Sequence, residues 1–258
     1  MEGVGVADIK NDQHFVTDPD VLARIVELSR PEGDETVLEI GAGKGALTKL
    51  LSEAAGRVIA FEKDRSFEPD LEIALKGRKN VEILWGNALD MGWPPFDRLV
   101  SNLPYSISEP VVQRLVYCKF RKAVLLVPEH FTRILTGKSQ TKLSIVAEAF
   151  FSIKPDILVY PSSFSPEPKV NSRILVLEPK EPKDAKAAVF QDFLRQKNKN
   201  AKNALREAMI SGAARFGGVV TKREARKMAG ENLPEKRVYA LSMAELVQIQ
   251  DFIMFLGI

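Results

Sequence analysis

Thr36-Val37-Leu38-Glu39-Ile40-Gly41-Ala42-Gly43-Lys44-Gly45 is the segment from which the architecture of this chain can be read. Its first half is a short apolar run typical of a buried strand, and its second half is a glycine-rich turn. Leu47, Leu50 and Leu51 then recur at helical spacing. Because glycine has no Cβ, a strand–turn–helix unit of this kind lets the backbone approach a nucleotide-like ligand closely. The segment predicts the opening strand and helix of an α/β sheet.

An acidic residue follows at the distance expected of a ribose-binding group. The apolar run at residues 57–61 is interpreted as the next strand, and it ends in Glu62, about twenty residues past the turn. A carboxylate there can accept two hydrogen bonds from ribose hydroxyls. The glycines Gly41, Gly43 and Gly45 fall at alternate positions, whereas a turn that cradles a pyrophosphate usually has the pattern Gly-x-Gly-x-x-Gly. The pattern favours an adenosine-containing cofactor that has no pyrophosphate.

A second motif, Asn102-Leu103-Pro104-Tyr105, follows the strand-like run at residues 96–101. The amide oxygen of Asn102 and the carbonyl of Leu103 can both accept hydrogen bonds from a planar exocyclic amine. Tyr105 can lie against the ring that carries this amine. Taken alone, the motif is also a plausible strand-to-turn connection, because Asn and Pro favour turns. Beside the glycine-rich turn, it favours methyl transfer to an amine such as that of adenine over hydride transfer.

Between residues 13 and 172 the chain resembles the ribosomal RNA adenine dimethyltransferases. The matching stretches are residues 13–16, 39–45, 62, 86–88, 102–105 and 164–172. The first and the last are the most family-specific, and the opening Asp12-Gln13-His14-Phe15 looks most like archaeal members. The resemblance implies that S-adenosyl-L-methionine is the methyl donor. It also implies dimethylation of two adjacent adenosines near the 3′ end of small-subunit rRNA.

The resemblance assigns a cofactor-binding role to one set of residues. His14 and Val16 would close over the cofactor, and Gly41 would pass under its methionine portion. Glu62 would hold the ribose, and Asn87 with Ala88 would meet the adenine. The complete implied set is Gln13, His14, Val16, Gly41, Glu62, Asn87, Ala88 and Asn102. From the residues alone, His14 could also be an ordinary capping or surface histidine.

A second implied set holds the target adenine. It consists of Asn102, Leu103, Pro104, Tyr105 and Phe164. Phe164 would be a stacking partner in addition to Tyr105, although its sequence context also suits an ordinary core aromatic. No metal site is expected.

Asn87 departs from the family, which usually has Asp at this position. An Asn can still accept a hydrogen bond from the cofactor's amine, but the bond loses charge assistance. We expect cofactor binding to be weaker than with a carboxylate there by roughly 1 kcal/mol.

The whole chain fits an α/β protein with a small helical addition. Strand-like and helix-like segments alternate from residue 19 to about residue 150, which predicts a parallel sheet. Residues 152–160 and 173–177 are then expected to form an antiparallel hairpin with residues 164–172 as its tip. The fold class expected is a Rossmann-like class I methyltransferase sheet with a small C-terminal helical domain. Residues 1–179 would be the catalytic domain that binds the cofactor.

Residues 180–258 would be a basic RNA-docking domain that follows a linker at residues 178–183. Residues 180–237 hold 15 Lys and Arg against 7 Asp and Glu, a surplus of 8, whereas the whole chain carries +3. A local surplus of this kind favours contact with nucleic acid, although charge runs are often only solvated helix faces.

The expected partner is small-subunit rRNA within an immature small ribosomal subunit, and we expect a monomer. No apolar run is long enough to span a membrane, and the N-terminus lacks a signal-peptide pattern. The single Cys118 excludes an internal disulfide, which suits the cytoplasm. Two alternatives stay open. One is a non-catalytic RNA-binding ribosome assembly factor, and the other is an adenine methyltransferase that acts on large-subunit rRNA or DNA.

Overall fold

The computed structural model describes residues 13–137, 141–230 and 233–257. Among these residues the chain divides into two compact units. The first holds residues up to 136 and residues 152–179, and the second holds residues 137–151 and those from 180 onward. Residues 137–151 group with the helical unit, whereas the sequence interpretation placed residues 1–179 in one catalytic domain. Within the described ranges, no helix has the length and apolar character needed to cross a membrane.

The strands are β1 (Phe15–Val16), β2 (Thr36–Ile40), β3 (Arg57–Glu62), β4 (Val81–Trp85), β5 (Arg98–Asn102), β6 (Lys122–Pro128), β7 (Phe151–Val159), β8 (Phe164–Ser165) and β9 (Ser172–Pro179). Seven of them form one sheet in the order β4-β3-β2-β5-β6-β9-β7. Strands β2 to β6 pair in parallel, and β9 runs antiparallel to β6. The order reverses between β2 and β5, and open α/β sheets bind their ligands at such a switch point.

The helices of the first unit are α1 (Pro19–Ser29), α2 (Ala46–Ala54), α3 (Glu68–Ala74), α4 (Ser108–Leu115) and α5 (Glu129–Leu135). The central strands are continuous apolar runs because both faces of the sheet are buried, so that consecutive side chains all face the interior of the protein. One core cluster includes Ile25, Leu51, Val100 and Val124, which are all fully buried. Helix α1 begins at a favourable cap, where the Asp18 side chain accepts a hydrogen bond from the Asp20 backbone N–H.

The helices of the second unit are α6 (Lys142–Phe150), α7 (Ala185–Arg195), α8 (Ala201–Ala214), α9 (Lys222–Met228) and α10 (Met243–Met254). Buried Gln191 explains why α6 belongs here, since its amide donates to the carbonyls of Ala149 at 2.7 Å and Lys180 at 3.0 Å. Gly212 lets α8 approach α7 closely, because a Cβ there would lie 2.5 Å from the Val189 backbone nitrogen.

The sequence predicted most of the sheet correctly. Strand β2 has the predicted bounds, β3 extends one residue further to include Glu62, and β7 and β9 are neighbours as expected. Strand β5 begins at Arg98, two residues later than predicted, and the Asp97 carboxylate just before it accepts a hydrogen bond from the Thr36 N–H at 2.9 Å. The predicted linker begins inside β9, which ends at Pro179. The expected hairpin tip contains β8, which pairs antiparallel with β1.

Candidate active site

Four strands end around one cavity of about 420 Å³ at the switch point of the sheet. Gly41 follows β2, Glu62 ends β3, Asn87 follows β4 and Asn102 ends β5. The predicted site residues that line the cavity are Gln13, His14, Gly41, Glu62, Asn87, Ala88, Asn102, Leu103, Pro104 and Tyr105. Parallel strands with carboxyl ends at one edge bring these residues together from distant parts of the chain.

Glu62 organises the glycine-rich turn from the neighbouring strand. One carboxylate oxygen accepts a hydrogen bond from the Gly43 N–H at 2.7 Å, and the other accepts one from the Asp64 N–H at 2.8 Å. Gly43 has a φ of 53°, in the region that favours glycine. Each carboxylate oxygen of Glu62 can accept a further hydrogen bond. Glu62 can therefore hold the turn and still accept hydrogen bonds from hydroxyl groups of a ligand.

A second carboxyl group, that of Glu39, lies buried in β2 behind the turn. Burial raises its pKa to about 8, the Thr48 hydroxyl opposes this shift, and the charge of Glu62 adds to it. Loss of water disfavours the charged form of a carboxyl group. Glu39 is consequently protonated near neutral pH, and it contributes no negative charge to the cavity.

The segment around β1 connects the two motifs found in the sequence. The Asn102 amide nitrogen donates to the His14 carbonyl at 2.7 Å, and the ring centroids of His14 and Tyr105 lie 5.5 Å apart. Next to His14, the Phe15 ring packs over the glycine-rich turn so closely that a Cβ at Gly43 would lie 2.7 Å from it. One short segment therefore contacts both the turn of β2 and the motif after β5.

These contacts fix the orientation of the Asn102 amide. Because its nitrogen donates to His14, the amide presents its oxygen as the acceptor. The Tyr105 hydroxyl is hydrogen bonded to the hydroxyl of buried Ser172, which restrains the aromatic ring. An amide oxygen, the Leu103 carbonyl and a restrained ring form a set suited to a planar heterocycle that carries an exocyclic amine.

Asn87 lies in a tight turn after β4. Its amide oxygen accepts a hydrogen bond from the Leu89 N–H at 3.1 Å, and its amide nitrogen donates to the Asp90 carboxylate at 2.7 Å. Arg114 on α4 supports the same turn by donating to the carbonyls of Ala88 at 2.9 Å and Met91 at 2.6 Å.

Two predicted residues, Val16 and Phe164, are not among those that line the cavity. They face each other in the β1–β8 pair, and both are buried in the hydrophobic core. This is the core placement that the sequence left open for Phe164. Its contact with a target base stays a prediction, as does contact of Val16 with a cofactor.

Several cavity residues were missed by sequence reasoning. Phe15, Asp64 and Phe67 line the cavity, and the rings of Phe15 and Phe67 meet edge to face at a centroid distance of 5.3 Å. Phe15 lies within residues 13–16, one of the stretches that resemble the family. This position was the sequence signal that could have identified Phe15 as a cavity residue. Arg114, which supports the turn after β4 without lining the cavity, carries no such signal, because a lone Arg on an amphipathic helix usually faces solvent.

Known proteins with similar sequences all point to the same family for this chain. The family described as "Ribosomal RNA adenine dimethylase" matches residues 7–244. The probable ribosomal RNA small subunit methyltransferase A of Pyrococcus furiosus is 32% identical over 257 residues, which is 96% of this chain and 93% of that protein. The ribosomal RNA small subunit methyltransferase A of Geobacter sulfurreducens is 38% identical over 195 residues, which is 69% of this chain and 70% of that protein.

Solved structures show the same fold at lower identity. A dimethyladenosine transferase from Plasmodium falciparum aligns with a TM-score of 0.62 and 23% identity, over 93% of this chain and 98% of that one. The 23S rRNA methyltransferase ErmE aligns with a TM-score of 0.63 and 22% identity, over 93% of this chain and 99% of that one. By the extent of the family match and the similarity to its full-length relatives, the chain belongs to the ribosomal RNA adenine dimethylase family.

Proposed function

We propose that this protein transfers methyl groups from S-adenosyl-L-methionine to the exocyclic amines of two adjacent adenosines near the 3′ end of small-subunit rRNA. The observation that carries the proposal is the Asn102 amide, held by His14 with its oxygen as the acceptor beside Leu103 and Tyr105. The family and the names of its full-length relatives support the RNA substrate.

The cavity fits the proposed cofactor in size and in chemistry. Its volume of about 420 Å³ lies within the range of roughly 300–1,000 Å³ that is typical of small-molecule sites. Glu62 offers acceptors for ribose hydroxyls, and Asn87 offers one for an adenine amine. Gly41 leaves the turn without a Cβ on the cavity side, where a ligand would pass. These three groups stand at the ends of adjacent strands β2, β3 and β4.

Catalysis by this site would depend on orientation and electrostatics. S-adenosyl-L-methionine supplies an electrophilic methyl group when bound. The acceptors of Asn102 and Leu103 would orient the adenine amine and stabilise the positive charge that develops on its nitrogen. Holding the reacting atoms in line contributes several kcal/mol in comparable reactions. No strong base is required, because the methylated ammonium is acidic and can release its proton to water.

The target adenine must leave its stack to reach Asn102. Stacking on Tyr105 would compensate by roughly 1–3 kcal/mol, the usual value for a base on an aromatic ring. The hydrogen bond between Tyr105 and Ser172 prepares the ring for this contact, since the ring is restrained before RNA arrives. In the same proposal Phe164 supports the site from the core.

The second unit would dock RNA through its basic helices. Helix α9 carries exposed Lys222, Arg223, Arg226 and Lys227. The proposed form is a monomer in the cytoplasm that acts on immature small ribosomal subunits during their assembly. A methyltransferase of this kind can also recognise ribosomal subunits at one stage of their maturation, so a role in assembly is compatible with catalysis.

A substrate competition tests the proposal. The purified protein would be incubated with labelled S-adenosyl-L-methionine in three separate reactions. One would contain immature small subunits, one large-subunit rRNA and one double-stranded DNA. Label in the small-subunit RNA alone is expected. Label that favours large-subunit rRNA or DNA would contradict the substrate. Cofactor binding without transfer to any of the three would favour the non-catalytic assembly factor.

A further inference from the structure

The turn after β4 pairs an amide with a carboxylate. Asn87 donates from its amide nitrogen to the Asp90 carboxylate at 2.7 Å, and it accepts from the Leu89 N–H at 3.1 Å. Asn87 lines the cavity, whereas Asp90 is exposed and is not among the lining residues. The Asp90 carboxylate is therefore connected to the cavity through its hydrogen bond with the Asn87 amide.

We propose that Asp90 is a positioning residue that orients and polarises the Asn87 amide, so that the amide oxygen receives the amino group of the cofactor's adenine. This inference rests on the proposed function, because it assumes an adenosine-containing cofactor. A carboxylate has no proton to donate, so it can accept only from the amide nitrogen. Asp90 therefore fixes, together with the Leu89 N–H that needs the amide oxygen, which end of the amide is the acceptor.

Asp90 also restores part of the charge assistance that an amide lacks. Hydrogen bonds to ionised groups are stronger than neutral ones, and a hydrogen bond to one end of an amide polarises the other end. The Asp90 carboxylate accepts a hydrogen bond from the Asn87 amide nitrogen, and this bond polarises the amide so that the Asn87 oxygen becomes a better acceptor. Where the family usually has an aspartate that contacts the ligand, this chain would have the neutral Asn87. The negative charge would lie on Asp90, one hydrogen bond further from the ligand.

The turn itself does not explain the choice of Asn. An aspartate at position 87 could accept from the Leu89 N–H equally well, because that contact needs only an oxygen. Only the bond to Asp90 needs the amide nitrogen. An aspartate at position 87 would instead place two carboxylates at hydrogen-bond distance, where like charges repel. Asn87 and Asp90 are therefore a matched pair, and on this inference Asn87→Asp alone should weaken binding, which is the opposite of the expectation from the sequence.

Calorimetric binding of two cofactor analogues tests the pair. The probes are S-adenosylhomocysteine and its deaminated counterpart S-inosylhomocysteine, which carries a carbonyl in place of the adenine amine. Asp90→Ala should weaken binding of the adenosyl probe roughly three- to tenfold. Binding of the inosyl probe should be unchanged, because its carbonyl has no proton to donate to the Asn87 oxygen that Asp90 polarises. A merely structural role of Asp90 would weaken both probes by the same factor.

Exchanging Asn and Asp between positions 87 and 90 gives the decisive comparison of probe affinities. Asn87→Asp should bind the adenosyl probe more weakly than wild type, and Asn87→Asp/Asp90→Asn should return to within about twofold of it. Asp34→Ala, which removes an exposed turn carboxylate elsewhere, is the matched control. Tighter binding by Asn87→Asp alone, or equal effects of Asp90→Ala on both probes, would overturn the inference. Failure of wild type to bind the adenosyl probe would instead overturn the cofactor assignment itself.

Discussion

The Asn102 amide is oriented by a residue that lies 88 positions earlier in the chain, since its nitrogen donates to the carbonyl of His14. The contact uses the backbone of His14, whereas the ring of His14 lies near Tyr105 and donates from Nδ1 to the Pro166 carbonyl at 2.9 Å. A single residue thus contacts both halves of the motif after β5. The orientation of the Asn102 amide therefore depends on the placement of the N-terminal segment.

Asn102→Ala should lower the single-turnover rate of methyl transfer by at least about tenfold, because the developing charge on the amine loses an acceptor. Cofactor affinity should change less, since Glu62 and Asn87 would supply the other acceptors in the proposed site. Rapid-quench transfer and calorimetry measure the two quantities separately. Asn80→Ala is the control, because Asn80 donates only to the Ser52 and Ala55 carbonyls within the fold. An Asn102→Ala variant with the wild-type rate would refute the proposed role of this amide.

Buried Glu39 should make the stability of the cofactor-free protein depend on pH. Its pKa is raised from 4.5 to about 8, so the unfolded chain ionises first as the pH rises. The contribution to stability is full below about pH 4.5 and is lost as the pH rises through about 8. Glu39→Gln should flatten this dependence and raise the free energy of unfolding near pH 8.5, by an amount of the order of 1–4 kcal/mol.

Urea unfolding of wild type and Glu39→Gln at about pH 5.5 and about pH 8.5 measures this effect. Glu72→Gln serves as the control, because Glu72 is an exposed residue of α3. Parallel pH profiles for wild type and Glu39→Gln would show that Glu39 is already ionised in the folded protein.

At the scale of elements, the two-residue strands β1 and β8 join the N-terminal segment to the loop before β9. Phe15 pairs with Ser165 and Val16 with Phe164, and the Thr17 N–H donates to the Ser163 carbonyl at 2.9 Å. Alternate residues of a strand face opposite sides. Phe15 accordingly reaches the cavity, whereas Val16 enters the core. The buried positions of Val16 and Phe164 follow from this register.

Gly43→Ala tests whether this element closes the cofactor cavity. The added Cβ would meet the Phe15 ring at 2.7 Å, and a φ of 53° costs an L-residue roughly 1–2 kcal/mol. Cofactor affinity measured by calorimetry should fall about tenfold, because β1 or the turn must shift. Gly33→Ala is the matched control, since a Cβ there meets nothing within 4 Å. Equal affinities of Gly43→Ala and wild type would mean that β1 does not close over the cofactor.

The elements differ in how far sequence could predict them. Strands β2 and β3 were predicted nearly residue by residue, because a buried parallel strand has a continuous apolar run and ends at a turn signal. The β1–β8 pair was not predicted, since two residues carry no periodicity and their pairing spans most of the chain. Asp90 and Arg114 were missed for a related reason: their roles arise from hydrogen bonds to a turn, and these bonds have no sequence pattern.

At the scale of the whole molecule, charge is divided unevenly along the chain. Residues 180–237 carry a surplus of 8 positive charges, from 15 basic and 7 acidic residues, whereas the whole chain carries +3. Binding to small-subunit RNA should therefore weaken steeply as salt rises, because each neutralised phosphate releases counterions.

The Lys222→Gln/Arg226→Gln variant should lower the slope of log affinity against log salt by about 1–2. Lys76→Gln/Lys79→Gln removes two exposed charges from the first unit, and this control should keep the wild-type slope. Filter binding at several salt concentrations measures both variants. A slope unchanged by the α9 substitutions would exclude this helix from the RNA contact.

Mass-spectrometric mapping of the product on immature small subunits tests the proposed chemistry most directly. After a brief reaction with S-adenosyl-L-methionine, stopped while product is still accumulating, the rRNA would be digested and its modified nucleosides located, with Asn102→Ala as the slowed comparison. We predict dimethyladenosine at two adjacent positions near the 3′ end, and at least about tenfold less of it with the variant. Methyl groups at any other position, or an equal yield from Asn102→Ala, would contradict the site proposed for this protein.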